Sequence, residues 1–307
     1  MKIALIGFGN VGRALARLLG RVESPFHIAG IHTRHGTAYG GEMGGPAASV
    51  EEFLDTVRAE VAVELTSLNP LTGEPAASHI RAAIERGMHV VTANKGPVAH
   101  RYAELRDLAA ARGVAFRFES TVMDGAPVFN MVRECLPGVK VLGFTGVLNS
   151  TSKVVIEVME QGGTLEDGIA EARSMGIVEA DASYDLEGWD SAAKTAALAN
   201  VLMDAGATPL QVNVKGITRL TPERVRKLAR EGKTVRLVSR AKRTGSLRVR
   251  AEVLDRGDLL ASVKGTSNLL LLDTDLMGTV GTVSIAPGVE QTAYGVYSDL
   301  MSVWKNK

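Results

Sequence analysis

Apolar positions in the first part of the chain switch repeatedly between two periods. "KIALIGFG" (2–9) is a continuous apolar run of strand length that stops at glycine. "VGRALARLLGRV" after it carries apolar residues at helical spacing. "FHIAGIHT" and "VAVELT" (61–66) read as further strands, and "EPAASHIRAAIERG" as a helix closed by Gly87. "HVVTAN" (89–94) then reads as a strand, "YAELRDLAAARG" as a helix and "VAFRFES" as a strand. Strands alternating with helices at this spacing predict an α/β domain over 1–130, a doubly wound parallel sheet of Rossmann type.

The pattern changes after about residue 130. "VLGFTGVLN" (141–149) reads as a strand, followed by helices near 151–161, 164–174 and 187–205. "TVRLVSRAKR", "LRVRAEVL" and "NLLLLDTD" read as strands of a mixed or antiparallel sheet. A second, α+β domain is therefore expected over 131–285. The tail, 286–307, contains "TAYGVYSDLMSVWK", a helix expected to pack back on the first domain.

Composition narrows the functional classes. With 45% hydrophobic and 22% charged residues the 307-residue chain is of ordinary globular type, and a net charge of +1 gives no bias toward nucleic acid or membrane. No apolar run approaches the roughly 18 residues of a membrane span. The N-terminus runs straight into a glycine motif without a cleavage site, so a cytoplasmic protein is expected. Cys135 is the single cysteine and cannot form an internal disulfide. Its setting, "MVRECLPG", reads as an apolar helix with the thiol in the core. Residues 215–250 hold 13 Lys or Arg against two Glu. Because these alternate with Val and Leu, they read as the solvated face of half-exposed strands.

Gly7, Gly9 and Gly12 form G-x-G-x-x-G, with Asn10 and Val11 between, after a strand and at the start of a helix. In that context the first glycine allows the tight turn, the second lets backbone approach a pyrophosphate, and the third allows close helix–strand packing. The helix N-terminus offers free N–H groups to the phosphates. An acidic residue about 20 positions on would hold the ribose 2′-hydroxyl of NAD. The second strand ends "GIHTRHG" instead, with His32 at that position and Arg34 next in line. An arginine there suits a 2′-phosphate, so NADP(H) is expected over NAD(H).

"DLEGWDSAAKTAALANVL" (185–202) places Asp190 and Lys194 four apart on one helix. Acid before base is the favourable order for a surface pair, and with Glu187 and Ser191 the two would make a plain polar stripe. Pattern alone favours that reading over a catalytic pair. Four stretches together resemble the homoserine dehydrogenase family: "VELTSLNPLTGEPAASHIRAAIERGMHVVTANKGPVAH" (63–100), "GVLNSTSK" (146–153), "MGIVEADASYDLEGWDSAAK" (175–194) and "TAYGVYSDL" (292–300). The resemblance runs along almost the whole chain and reverses that preference. It implies a dehydrogenase interconverting L-aspartate 4-semialdehyde and L-homoserine with NAD(P), in the biosynthesis of threonine and methionine, and a homodimer. It also implies a short form, without the C-terminal ACT module.

By that resemblance Lys194 is the proton donor to the developing alkoxide, and Asp190 positions it or holds the substrate ammonium. Glu179 is the other substrate acid, and Lys95 a second catalytic lysine. Thr66, Ser67, Gly176 and Gly288 contact the cofactor. In "FESTVMDGAPVF" (118–129) the backbone carbonyls of Val122, Asp124 and Ala126 match a site for Na+ or K+. Met123 and Asp124 stand where the family has small residues, and a plain Gly-Pro turn is the alternative. Ser150 and Lys153 depart from the family pattern and leave a shifted substrate open, as in an aspartate dehydrogenase. A non-catalytic NADP sensor is the remaining alternative. Oxidation of the aldehyde to an acid would need a thiol nucleophile, for which Cys135 has no nearby His in sequence.

Overall fold

The apolar run after Met1 becomes the middle strand of a sheet. The structure is a computed structural model and describes every residue except 41, 45–48, 179–180 and 307, with backbone only for 42–44. The chain divides into two units, Met1–Met131 with Gly288–Lys307, and Val132–Pro287. In the first, β1 (Lys2–Ile6) buries Ile3, Ala4 and Leu5 completely, and α1 (Asn10–Arg21) turns Ala14 and Leu15 inward. β2 (His27–Thr33) pairs parallel with β1. A hairpin of β3 (Gly36–Tyr39) and β4 (Glu42–Gly44) extends that edge antiparallel. α2 (Val50–Thr56) follows, its first turn closed by a Ser49–Glu52 capping box. The hydrophobic pattern marks neither the hairpin nor α2.

β5 (Val61–Glu64) lies on the other side of β1, followed by α3 (Ala76–Glu85), β6 (His89–Thr92), α4 (Lys95–Arg112) and β7 (Phe116–Arg117). The sheet order is β4-β3-β2-β1-β5-β6-β7, with β2, β1, β5, β6 and β7 parallel. Successive strands lie on opposite sides of β1, so a crevice opens at its carboxyl end, where such sheets bind ligands. The strand expected through "VAFRFES" is only two residues long. The Glu119 carboxylate accepts the N–H groups of Val128 (2.6 Å) and Phe129 (2.9 Å), and the chain turns there instead of continuing.

The second unit holds β8 (Val141–Val147), α5 (Ser150–Glu160), α6 (Leu165–Ser174), α7 (Ser183–Leu186) and α8 (Trp189–Met203). β9 (Asn213–Lys215), α9 (Pro222–Arg230), β10 (Lys233–Lys242), β11 (Leu247–Asp255), β12 (Asn268–Thr274) and β13 (Thr279–Ser284) follow. Its sheet runs β13-β12-β8-β10-β11-β9, antiparallel except for the β11–β9 pair.

Two sequence expectations are corrected here. β10 is an inner strand, not a half-exposed one, because β8 and β11 flank it. Its Arg236 is 2% exposed and pairs with Glu157 at 3.4 Å, and Arg240 pairs with Glu252 at 2.8 Å. Arg243 donates to the carbonyls of Val141 (2.7 Å), Met203 and Leu202. Arg236 and Arg240 thus serve internal ion pairs, while most of the run, including Lys215, Arg219, Arg224, Lys227, Arg230, Lys242 and Arg248, is exposed as expected. Cys135 is exposed, not in the core: Met131–Cys135 forms a single π-helical turn with no buried residue.

The chain returns to the first unit as α10 (Val289–Lys305), which packs along α1. Ala293, Val296, Leu300 and Val303 join Ile3, Leu5 and Leu15 in one core cluster. Asp299 accepts the Glu119 N–H (2.7 Å) and the Asn130 side-chain amide (3.0 Å), tying the helix to the end of the sheet. Leu300 is fully buried, so Leu300→Ala leaves a cavity. The expected cost is about 2–5 kcal/mol of unfolding free energy, read by urea denaturation.

Candidate active site

Gly7 ends β1 with φ +98°, a conformation that favours glycine. A Cβ there would lie 2.7 Å from the Leu65 carbonyl, so the turn rests directly on the chain leaving β5. A Cβ on Gly12 would meet the Gly7 oxygen at 3.1 Å, which seats α1 against the turn. Gly9 has nothing within 4 Å of that position. It faces a cavity of about 1070 Å³ lined by Gly7, Gly9, Arg13, Arg34, Thr66 and Ser67 among others. His79 also lines it, and its Nδ1 has no hydrogen-bond partner among the described residues. Burial holds the imidazoles of His79 and His32 below their ordinary range. The open backbone at Gly9, the α1 N-terminus and the unpartnered ring nitrogen together fit a dinucleotide.

β2 brings Arg34 to this cavity beside His35, with Arg34 Nε donating to His35 Nε2 at 2.9 Å. Arg13, from the first turn of α1, lines the same cavity. Its place directly after the glycine motif was a signal that sequence reading passed over. Asn10, Val11 and Gly12 form the first turn of α1 and are outside the lining, as are Lys95 and Gly288. Gly288 is the N-cap of α10, its N–H donating to Gln291 Oε1 at 2.9 Å.

The carboxyl ends of β5 and β6 are joined by buried polar groups. Glu64 is wholly buried, and its carboxylate accepts the N–H (2.9 Å) and hydroxyl of Thr66 and the hydroxyl of Thr92 (2.9 Å). Burial pushes its carboxyl up to about 7, against the pull of these donors. Asn94 caps α4 by accepting the Gly96 N–H at 3.0 Å, while its amide donates to the carbonyls of Thr66 (3.2 Å) and Ser67 (3.4 Å). Lys95, half-buried, is the first residue of that helix.

In the second unit the expected helix near 187–205 is α8, which starts at Trp189 and ends at Met203. Gly188, with φ +93°, separates α7 from α8, and Asp190 falls in the first turn of α8, where the helix dipole favours a carboxylate. Asp190 and Lys194 pair at 3.0 Å with side chains only 12% and 16% exposed, whereas Glu187 points to solvent. They do not form a surface stripe. Lys194 Nζ also donates to the Leu148 carbonyl at 2.7 Å. Asn149, at the end of β8, donates from its amide to Asp190 (3.0 Å) and to Asp185 (2.6 Å). Thr151 donates to the other Asp185 oxygen at 3.0 Å.

Burial and the neighbouring Asp190 push the Asp185 carboxyl up, against the donors and Lys194. Asp185 and Asn149 were missed in the sequence, although both lie inside the quoted stretches. The signal was a second acid five before Asp190, across the glycine break. Lys153 is buried and donates to the Asn149 carbonyl (3.0 Å) and to Asn268 (3.1 Å). Gly176, with φ +69°, follows α6, and Glu179 lies outside the described residues. Among the described residues no group of His, Cys, Asp or Glu side chains is placed to hold a metal ion, and no helix is long and apolar enough to cross a membrane.

Residues 7–119 match the NAD-binding domain of homoserine dehydrogenase, and residues 127–301 match the homoserine dehydrogenase family proper. The chain belongs to the homoserine dehydrogenase family. An NAD(+)-dependent homoserine dehydrogenase of Pseudomonas canavaninivorans is 34% identical, over 98% of this chain and 96% of that protein. The Methanocaldococcus jannaschii homoserine dehydrogenase is 34% identical over 100% and 99%. A hyperthermophilic archaeal homoserine dehydrogenase solved with NADPH superposes with a TM-score of 0.87 at 29% identity, covering 100% of this chain and 98% of that one. The chain is an NAD(P)-dependent oxidoreductase of this family, with a Rossmann-like first unit and a mixed α+β second unit.

Glu64 ties this site to stability. Its carboxyl rises from an ordinary 4.5 to about 7 in the fold, so the folded chain holds the proton more tightly than the unfolded one. Its contribution is fully present below about pH 4.5 and is lost as pH rises through about 7. Between those limits the wild type should lose on the order of 3 kcal/mol that Glu64→Gln does not lose, read as the difference in their urea midpoints across pH.

Proposed function

We propose that this chain interconverts L-aspartate 4-semialdehyde and L-homoserine with NADP(H) preferred over NAD(H). The observation that carries the reading is the sheltered Lys194–Asp190 pair at 3.0 Å, held by the Leu148 carbonyl and by Asn149. A nicotinamide ring, when bound, supplies or accepts the hydride. The oxygen of the substrate carbonyl becomes an alkoxide as reduction proceeds, and Lys194 is assigned the proton that neutralises it. In the reverse direction the same amine takes the hydroxyl proton. Asp190 holds the ammonium in place, and with Glu179 offers carboxylate to the substrate amino group. Asp185, bonded to the same Asn149 amide, belongs with that acidic set. Lys95, opening α4 in the first unit, is assigned the second catalytic ammonium.

Thr66, Ser67, Gly7, Gly9 and the first turn of α1, including Asn10, Val11 and Gly12, are assigned to the dinucleotide, with Gly176 and Gly288 as further contacts. Arg34 at the end of β2 is assigned the 2′-phosphate, which a guanidinium can take bidentately. A Na+ or K+ ion at the carbonyls of Val122, Asp124 and Ala126 is supported by one feature. Neither the Val122 nor the Ala126 carbonyl accepts a hydrogen bond among the described residues. A homodimer through the second unit is supported by the apolar residues that edge strand β13 and its turn leave exposed, Leu276, Met277, Val283 and Ile285. Oxidation through a thiol is not supported, since Cys135 lies on an exposed single turn and does not line the cavity.

Lys194→Ala should lower kcat by about 10²–10⁴-fold while the NADPH dissociation constant changes less than about twofold. Unchanged turnover with cofactor bound would remove Lys194 from the chemistry. Arg34→Ala should weaken NADPH by about tenfold or more and leave NADH nearly unaffected, in a fluorescence titration of each. Equal weakening of both would exclude Arg34 as the 2′-phosphate ligand.

A further inference from the structure

Thr66 and Ser67 line the cavity, but neither is held there by its own strand, because β5 ends at Glu64. The three residues after β5 are held from below and from the side. Leu65 N–H donates to the Ile6 carbonyl at 2.7 Å, and Gly7 rests on the Leu65–Thr66 peptide. Asn94 reaches the carbonyls of Thr66 and Ser67 from the neighbouring strand end. Beneath all of these sits Glu64. One of its carboxylate oxygens takes both donors of Thr66, and the other takes the Thr92 hydroxyl. Thr92 Oγ in turn accepts the Asn94 N–H at 2.9 Å. A single carboxylate therefore couples the loop that lines the cavity to the strand end that carries Asn94 and Lys95.

We infer that Glu64 is a positioning residue for cofactor binding: its ionised carboxylate holds the Leu65–Ser67 loop in the shape the dinucleotide meets, and protonation releases that hold. The inference rests on the reading of the cavity as the NAD(P) site. The ionised form has three donors aimed at it and needs no donor of its own. A protonated carboxyl would bring an O–H into a set of groups already donating toward it, and either Thr66 or Thr92 would have to turn away.

The surroundings make Glu64 itself the group that titrates. β1 places Ile6 beside it and β6 places Thr92, and neither is ionisable. Leu65, Thr66 and Ser67 carry no charge. Its proton affinity is set by burial and by these hydroxyl and amide donors, with no contribution from a charged side chain. His32 and His79 line the same cavity but are held low by burial, so both are neutral over most of the range in which Glu64 changes charge.

The test is an NADH titration by nicotinamide fluorescence from about pH 6 to about pH 8.5. NADH is the probe because its phosphodiesters keep their charge over this range, which a 2′-phosphate does not. Wild-type affinity should weaken about five- to tenfold toward the acid end, the effect of one or two lost hydrogen bonds. Glu64→Gln keeps the shape and cannot ionise, so it should bind at the weaker level at every pH. Wild-type affinity in Glu64→Gln at about pH 8.5, or an unchanged pH step in that variant, would overturn the inference. Should Glu64→Gln fail to fold, Thr92→Val and Thr92→Ser decide it. The valine variant should weaken NADH several-fold at high pH and the serine variant should restore it, whereas wild-type binding by the valine variant would overturn the inference. If wild-type protein binds neither NADH nor NADPH at any pH, the cofactor site itself is wrong and the role of Glu64 goes with it.

Discussion

A charge taken out of water must be met by hydrogen bonds or by an opposite charge, or the fold loses more than packing returns. This chain accepts that constraint at several places, and each answer shapes the backbone around it. Glu119 ends the sheet early by drawing the N–H groups of Val128 and Phe129 onto its carboxylate. Arg236, inside β10, requires Glu157 from α5 and thereby fixes helix against sheet. Glu64 bends the chain after β5 so that Thr66 can reach it. Lys194 draws on Asp190 and on the Leu148 carbonyl together. At Glu64 and Glu119 the backbone turns irregular where the charge is met, and Thr66 and Ser67 lie on one such piece, whereas Asp190 and Lys194 meet their partners from the regular helix α8.

The regular parts of the fold were legible because they obey a period. β1 is a run of apolar residues with a glycine after it, and the G-x-G-x-x-G spacing states the turn, the close approach and the packing in one motif. The acid–base spacing of Asp190 and Lys194 also showed in the sequence, but its burial did not. The spacing is common to an exposed helix face and a sheltered one, and only the packing of α8 on the sheet decides between them. Arg236 was misread for the same reason: alternation of Arg with Val and Leu looks alike on an edge strand and on an inner strand with buried ion pairs. Cys135 failed in the other direction, since an apolar neighbourhood in sequence became an exposed single turn. Asn149 and Asp185 lie 36 residues apart and have no joint signal in sequence, because the end of β8 meets α7 only in three dimensions.

The two units also solve the same local problem in the same way. Each has an asparagine two residues beyond the end of a strand and a helix that starts at the next residue: β6, Asn94 and α4 in one, and β8, Asn149 and α5 in the other. In both, the asparagine oxygen caps the helix, accepting from Gly96 at 3.0 Å and from Ser152 at 2.8 Å. Aspartate, serine or threonine would serve that purpose equally well. The amide nitrogen is what distinguishes asparagine, and in both units it points away from the helix into the polar set beside it. Asn94 donates to the carbonyls of Thr66 and Ser67, and Asn149 to the carboxylates of Asp185 and Asp190.

Aspartate at either position would keep the cap and turn a donor into an acceptor facing acceptors. At 149 it would set a third carboxylate against two that burial and mutual repulsion already strain, as the raised carboxyl of Asp185 shows. Serine or threonine would keep the cap and leave the far groups without a donor, because their hydroxyls are too short to serve both ends. The helix start and the placement of the functional groups are thus one constraint at each position. A residue selected for the cap alone could not satisfy it.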